Sequence, residues 1–282
     1  MPQIIGHERI ISDLKNLADN RRLPHGCIFF GPPRVGKKLV ALGLANYLEN
    51  KNFDAGDKQI VLSDVLVVGP DENKTVGIDK VRGIKQFLWQ TPNRSPYRTV
   101  IISDGEYLTS EAQNALLKIT EEPPRSALII LVIDDPERLL PTVQSRFHKI
   151  YFSPVPVKLI KDWLVEELKC PALKAESVAS KFFGEPGLAW RLLKDEQFQK
   201  LQSAAKKFLD MPRSGRKDFI KDMVAAEDFD FSGFLEAVMI CLPPVHKRNI
   251  ALWRRLLVLR REANYFNLNP RLQLTALAES LG

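Results

Sequence analysis

Three cysteines in 282 residues, Cys27, Cys170 and Cys241, are too few and too far apart to staple a fold or to form a metal knuckle. They imply a reducing compartment, the cytoplasm, and each reads as a small buried hydrophobe rather than a reactive thiol. Histidine is also scarce. His7, His25, His148 and His246 lie far apart with no ligand spacing, so structural roles are expected for all four, with no metal. No apolar run approaches the roughly 20 residues that span a bilayer. Residues 1–13 lack the apolar core of a secretory leader, so no membrane partner is expected. Acidic excess is missing too: 41 Lys and Arg against 34 Asp and Glu give a net charge of +7. That is a mild bias toward a polyanionic partner, although solvated basic faces alone would also produce it. The length allows two or three domains with real cores.

The most informative stretch is Cys27-Ile28-Phe29-Phe30-Gly31-Pro32-Pro33-Arg34-Val35-Gly36-Lys37-Lys38. A short apolar strand runs into two glycines and a lysine, and a helical pattern follows (Leu39, Val40, Leu42, Ala45, Leu48). This is the strand, loop and helix of a phosphate cradle. Glycines let backbone N–H groups converge on an anion, the helix N-terminus adds positive potential, and the lysine reaches the β/γ-phosphates. The loop Gly31, Pro32, Arg34, Val35, Gly36, Lys37 fits G-x-x-x-x-G-K-[ST] up to its last position, where Lys38 replaces the hydroxyl that holds Mg²⁺.

Further along, hydrophobic periodicity predicts a helix within residues 4–19 and a polar loop over 50–58. It predicts a strand within 61–68, a loop over 71–75, a helix over 78–88 and a turn over 93–98. Strands at 99–103, 127–133 and 149–152 bracket a helix at 110–120. Apolar strands alternating with helices imply an α/β fold with a parallel sheet covered on both faces. Pro123-Pro124 ends the helix that precedes it.

The third strand runs into Ser103-Asp104-Gly105-Glu106. After it come Ala112-Gln113-Asn114-Ala115-Leu116-Leu117-Lys118, Glu121-Glu122-Pro123-Pro124, Leu139-Leu140-Pro141-Thr142 and Ser145-Arg146. Together with Gly31–Lys37, and in this order, these segments make the chain resemble the AAA+ clamp-loader subunits, and among them the delta-prime subunits of bacterial DNA polymerase III. The likeness is strong over the first 150 residues. It continues more weakly through 184–189 and 267–272.

The resemblance implies an AAA+ P-loop core over 1–153, a small helical lid over 154–196 and an all-helical collar over 197–282. It also implies partners: the gamma/tau and delta subunits, and through the complex the sliding clamp and primer-template DNA. Relative to the family, the magnesium aspartate falls on Ser103, the catalytic glutamate on Asp104 and the γ-phosphate-sensing lid arginine on Gly187. The polar residue after the fourth strand falls near Asp134, where Asp134 and Asp135 read equally well as an ordinary strand end. Hydrolysis depends on Mg²⁺ and a positioned water, so little or no turnover is expected. No cofactor is required, and weak ATP or ADP binding through Gly31, Gly36 and Lys37 stays open. Family members often carry a four-cysteine zinc module between the first helix and second strand; residues 50–62 have no cysteine, so no zinc is expected.

Arg146 matches the family's trans-acting arginine, which projects into a neighbouring subunit's ATP site. A local salt bridge is the alternative role for it. Phe147 replaces the cysteine that usually follows and changes packing rather than the guanidinium. Gln113, Asn114 and Lys118 fit either an interface or solvated positions.

Pro154 and Pro156 open a second segment, with helices at 159–168, at 178–183 and from 189. In the last third, Ile250, Trp253, Leu256, Leu257 and Leu259 read as bundle core. Arg254, Arg255, Arg260 and Arg261 read as a solvated or intersubunit face, with DNA contact as the other possibility. The expected function is thus a non-hydrolysing clamp-loader subunit that lends Arg146 to a neighbour. The alternative is an active ATPase of the gamma/tau or replication-factor type. A P-loop nucleotide kinase fits less well, since no arginine-rich lid follows the core.

Overall fold

The computed structural model describes residues 4–53, 62–226, 229–242, 249–265 and 268–280. The chain forms two compact units, Met1–Gly187 and Leu188–Gly282.

The first unit is built on five strands: β1 (Gly26–Phe30), β2 (Val65–Val68), β3 (Arg98–Ser103), β4 (Ala127–Val132) and β5 (His148–Tyr151). They lie in the order β2-β3-β4-β1-β5, and every pairing is parallel. The strand that leads into the P-loop is therefore interior, flanked by β4 and the edge strand β5. In open parallel sheets ligands bind beyond the carboxyl ends of such strands, where connections diverge. Alternation along β1 sends Cys27 and Phe29 to one face and Ile28 to the other. On the first face they meet α1 (Glu8–Asp19) and α2 (Lys37–Asn50) through Leu14, Val40 and Leu44. On the second they meet α3 (Ile78–Leu88), α4 (Ser110–Glu121) and α5 (Pro141–Gln144) through Ile84, Leu116 and Val143. The α/β architecture is the expected one.

Local chemistry sets the boundaries. The Thr109 hydroxyl accepts the Ala112 N–H at 3.2 Å and caps α4, which stops at Glu121 ahead of the two prolines. Arg98, expected inside a turn, instead opens β3. The turn before it is organised by Asp64, whose buried carboxylate accepts N–H groups from Asn93, Arg94 and Ser95 at 2.7, 2.6 and 2.8 Å. Burial works to raise the Asp64 pKa, but these three donors and the Arg98 charge hold it below the usual range. Asn50 closes α2 rather than starting a loop. Residues 54–61, and with them most of that expected loop and Val61, lie outside the described residues.

After α6 (Val157–Glu166), α7 occupies Ala172–Ala179, earlier than the helix expected over 178–183. The apolar spacing continues past the helix end: Phe182 is fully buried but sits in a turn, followed by Phe183 at φ 53° and Gly184 at φ 79°. Helix α8 (Pro186–Lys194) leads on to α9 (Glu196–Asp210), α10 (Arg213–Val224), α11 (Phe231–Cys241), α12 (Ile250–Tyr265) and α13 (Pro270–Ser280). In the second unit α11 packs on α9 and α12, and α10 on α13.

Two expectations for α12 need correction. Arg260 is buried and pairs with Glu236 at 3.3 Å, and the same carboxylate pairs with Arg191 at 3.3 Å, so Arg260 does not belong to a solvated face. Leu257 and Ile250 are exposed, because the helix turns Trp253, Leu256 and Leu259 inward and 250, 254, 257 and 261 outward. Pro243, Pro244 and His246 lie outside the described residues. Cys27 and Cys170 are buried as expected, whereas Cys241 is only partly buried, and burial pushes the Cys27 thiol up to about 12. No helix among the described residues is long and apolar enough to cross a membrane.

Candidate functional site

The loop after β1 holds both of its glycines at positive φ, the conformation a phosphate cradle uses. Gly31 sits at φ +135°, and a Cβ there would lie 2.2 Å from the Phe152 carbonyl, so only glycine fits. Gly36, at φ +108°, is the residue before α2. Arg34 occupies the left-handed region at φ 57°, and Val35 is buried. His7 Nε2 donates to the Val35 carbonyl at 2.9 Å, giving that histidine a structural role.

Lys37 heads α2, and its ammonium is buried, with 4% of the side chain exposed. It donates to the Gly31 carbonyl at 2.7 Å and the Pro32 carbonyl at 2.6 Å. Its third bond is an ion pair with Asp134 Oδ1 at 2.8 Å. An ammonium has three hydrogens to donate, and here each has an acceptor within the chain. Asp134 is thus no idle strand end; it is the counterion of the P-loop lysine. The Gly31 N–H is turned to the Asp134 carbonyl at 3.3 Å.

Where the family resemblance would put Mg²⁺, the groups of this chain fit it poorly. Lys38 is exposed and places a cation there. Ser103 is buried and donates its hydroxyl to the Val68 carbonyl at 3.2 Å, toward β2. Asp104 stands at φ 54°; its carboxyl reaches solvent, yet burial raises its pKa, with Lys38 opposing. Glu106, which the sequence did not single out, is a second carboxyl at this strand end. Its Oε1 accepts the Asp134 N–H at 2.9 Å, and burial, helped by the charge of Asp134, lifts its pKa to about 7.

A carboxyl whose folded pKa is raised stabilises the fold while protonated. That contribution is complete below its unfolded value near 4.5 and is lost as pH rises through about 7. Glu106→Gln is therefore expected to flatten the fall in stability across that window, by on the order of 1–3 kcal/mol. Urea denaturation at a series of pH values checks it.

The side of the loop facing residues 157–187 is closed. The Gly187 N–H donates to the Arg34 carbonyl at 3.1 Å, and a Cβ on Gly187 would lie 2.9 Å from that of Arg34. A cavity beside the loop, walled by Ile5, Val35, Leu39, Trp163 and Pro186 among others, holds about 40 Å³. Ligand pockets commonly measure about 300–1,000 Å³.

Arg146 lies elsewhere on the first unit, just after α5, with 37% of its side chain exposed. It is restrained rather than buried: Nη1 donates to the Thr142 carbonyl at 3.1 Å and Nη2 meets Glu121 Oε1 at 3.3 Å. The next residue, Phe147, is buried, and its ring covers Gly26, where a Cβ would lie 2.6 Å away. Phe147 is thus anchored under β1 while the neighbouring guanidinium stays at the surface.

Gln113 is neither an interface group nor solvated. It is buried, donates Nε2 to the Leu108 carbonyl at 3.1 Å, and accepts the Leu140 N–H at 2.7 Å. It ties the segment carrying Arg146 to α4. Asn114 and Lys118 are exposed. The signal for Gln113 was its spacing, three residues before Leu116 on the apolar side of α4.

Comparison with known proteins agrees with this architecture. The sequence profile described as "DNA polymerase III, delta subunit" matches residues 6–156. DNA polymerase III subunit gamma/tau of Mycobacterium tuberculosis is 28% identical over 170 residues, 56% of this chain and 29% of that protein. The replication factor C small subunit of Methanococcus maripaludis is 32% identical over 171 residues, 60% of this chain and 50% of that protein. The chain thus matches half or less of the length of these curated relatives. Among solved structures, a DNA polymerase III gamma subunit-related protein of Thermotoga maritima superimposes with a TM-score of 0.62 at 23% identity, covering 96% of this chain and 98% of its own. The RuvB Holliday junction branch migration motor of the same organism gives 0.53 at 16% identity, covering 99% and 82%. At these identities the likeness establishes the fold alone.

Proposed function

Because the chain belongs to the AAA+ clamp-loader family, in the group described as DNA polymerase III, delta subunit, we propose that it is a delta-prime-type subunit that assists ATP hydrolysis without performing it. In this reading its partners are the gamma/tau and delta subunits, and through the complex it serves loading of the sliding clamp on primer-template DNA. Residues 154–196 act as the lid and 197–282 as the oligomerising collar, and the protein works in the cytoplasm.

The observation that carries the reading is the contrast between Lys37 and Arg146. Lys37 spends its three hydrogens on Gly31, Pro32 and Asp134. Lys38 brings a cation and no oxygen to Mg²⁺, Ser103 brings no carboxylate and turns its hydroxyl to the Val68 carbonyl, and phosphoryl transfer needs that ion to neutralise developing charge. Arg146 keeps a planar, permanently charged fork at the surface. A neighbour's triphosphate would outcompete Glu121 for it, since an exposed ion pair at 3.3 Å contributes at most about 1 kcal/mol. Glu121 then serves to hold the guanidinium in place before assembly.

The test is a turnover assay on the purified chain. No Mg²⁺-dependent ATP hydrolysis above background is expected, with activity appearing only when gamma/tau and delta are added. Robust turnover by the chain alone would contradict the reading.

A further inference from the structure

The Lys37 ammonium has the surroundings of a lysine in a loaded P-loop, except that the anion is supplied by the chain itself. Two of its acceptors are loop carbonyls, and the third, at 2.8 Å, is the Asp134 carboxylate from the end of β4. With 4% of the lysine side chain exposed, desolvating an unpaired ammonium would be costly, so an anion at this point is a requirement of the closed loop. Asp134 is held in register from both sides: its N–H is given to Glu106 at 2.9 Å and its carbonyl takes the Gly31 N–H at 3.3 Å. The carboxylate therefore stands against the loop that would cradle a phosphate and carries a charge of the same sign as that phosphate.

We propose that Asp134 is a built-in substitute for the phosphate, and that this carboxylate is what bars linear polyphosphates, including the triphosphate of a nucleotide, from the P-loop. Exchanging it for the isosteric, uncharged asparagine leaves Lys37 a buried cation without its directly bonded counterion, although the charge of Asp104 still reaches it, and removes the nearest repulsion of an incoming anion. The glycine geometry of the cradle, Gly31 at φ +135° and Gly36 at φ +108°, is untouched. The latent site is then one for the phosphates alone. The 40 Å³ left between Arg34 and Gly187 does not admit a nucleoside, so tripolyphosphate should gain more than ATP. This extends the reading of a subunit that does not turn over ATP. Its test reads binding rather than hydrolysis or the action of Arg146, so either proposal can fail alone.

The experiment is calorimetric titration of the full chain with sodium tripolyphosphate and with ATP, without Mg²⁺, for the native protein and for Asp134→Asn. The native chain is expected to show no binding at millimolar ligand. Asp134→Asn should bind tripolyphosphate at least tenfold more tightly, on the order of 100-fold given one unit charge removed at close range. The gain should disappear in the double variant Lys37→Met/Asp134→Asn. Binding of tripolyphosphate by the native chain would overturn the proposal, and so would a folded Asp134→Asn chain that gains nothing. The native measurement stands whether or not the variant folds.

Discussion

Arg146→Ala in this chain is expected to slow hydrolysis at the neighbouring subunit's ATP site by about 10³-fold or more, while this chain's own fold stays intact. The large term comes from charge that develops on the transferring phosphoryl group, which a guanidinium meets with two parallel N–H donors. The small term is local. Arg146 lies at the surface, and its partner Glu121 is 56% exposed, so losing that pair should cost the fold less than about 1 kcal/mol. Arg146→Lys should recover little, because a point charge on a flexible stem does not reproduce the fork. Steady-state ATPase of the reconstituted complex, with thermal unfolding of the isolated chain alongside, reads both terms. Unchanged hydrolysis with the variant in place would remove the arginine from the mechanism.

Lys37→Met should show the reverse pattern: a large loss of stability and little effect on the complex's ATPase once the subunit is assembled. Removing one partner of a buried ion pair typically costs about 3–5 kcal/mol. Asp134 is 30% exposed and can recover some hydration, so about 2–3 kcal/mol is the expected loss here. The Gly31 and Pro32 carbonyls lose donors as well. Chemical denaturation, read separately for the two units, measures it. A lysine held ready for an incoming phosphate in open solvent would make no such contribution, and its replacement would fall within about 0.5 kcal/mol.

The strands and most helices of the first unit were legible because parallel strands buried on both faces leave unbroken apolar runs such as Val100-Ile101-Ile102. The P-loop was legible for a similar reason: its glycines answer to backbone geometry, and Gly31 against the Phe152 carbonyl admits no substitute. What one dimension hides is the side-chain partner. Lys37 and Asp134 are 97 positions apart, and nothing in their immediate neighbours declares the pair. Gln113 and Arg260 look like surface residues by type, and their burial follows only from the helix face that faces the core. Helix α7 was misplaced because apolar spacing persists through a turn as readily as through a helix.

The central claim is that this chain gives a catalytic group to a neighbour and uses none of its own. The most direct measurement is the ATPase rate of the assembled complex with Asp104→Asn in this chain, set beside the same complex with Arg146→Ala. By the family resemblance Asp104 stands where the catalytic glutamate falls, so an active site of this chain's own would need it. The account predicts a native rate with Asp104→Asn and a collapsed rate with Arg146→Ala. A collapse with Asp104→Asn and a native rate with Arg146→Ala would contradict it.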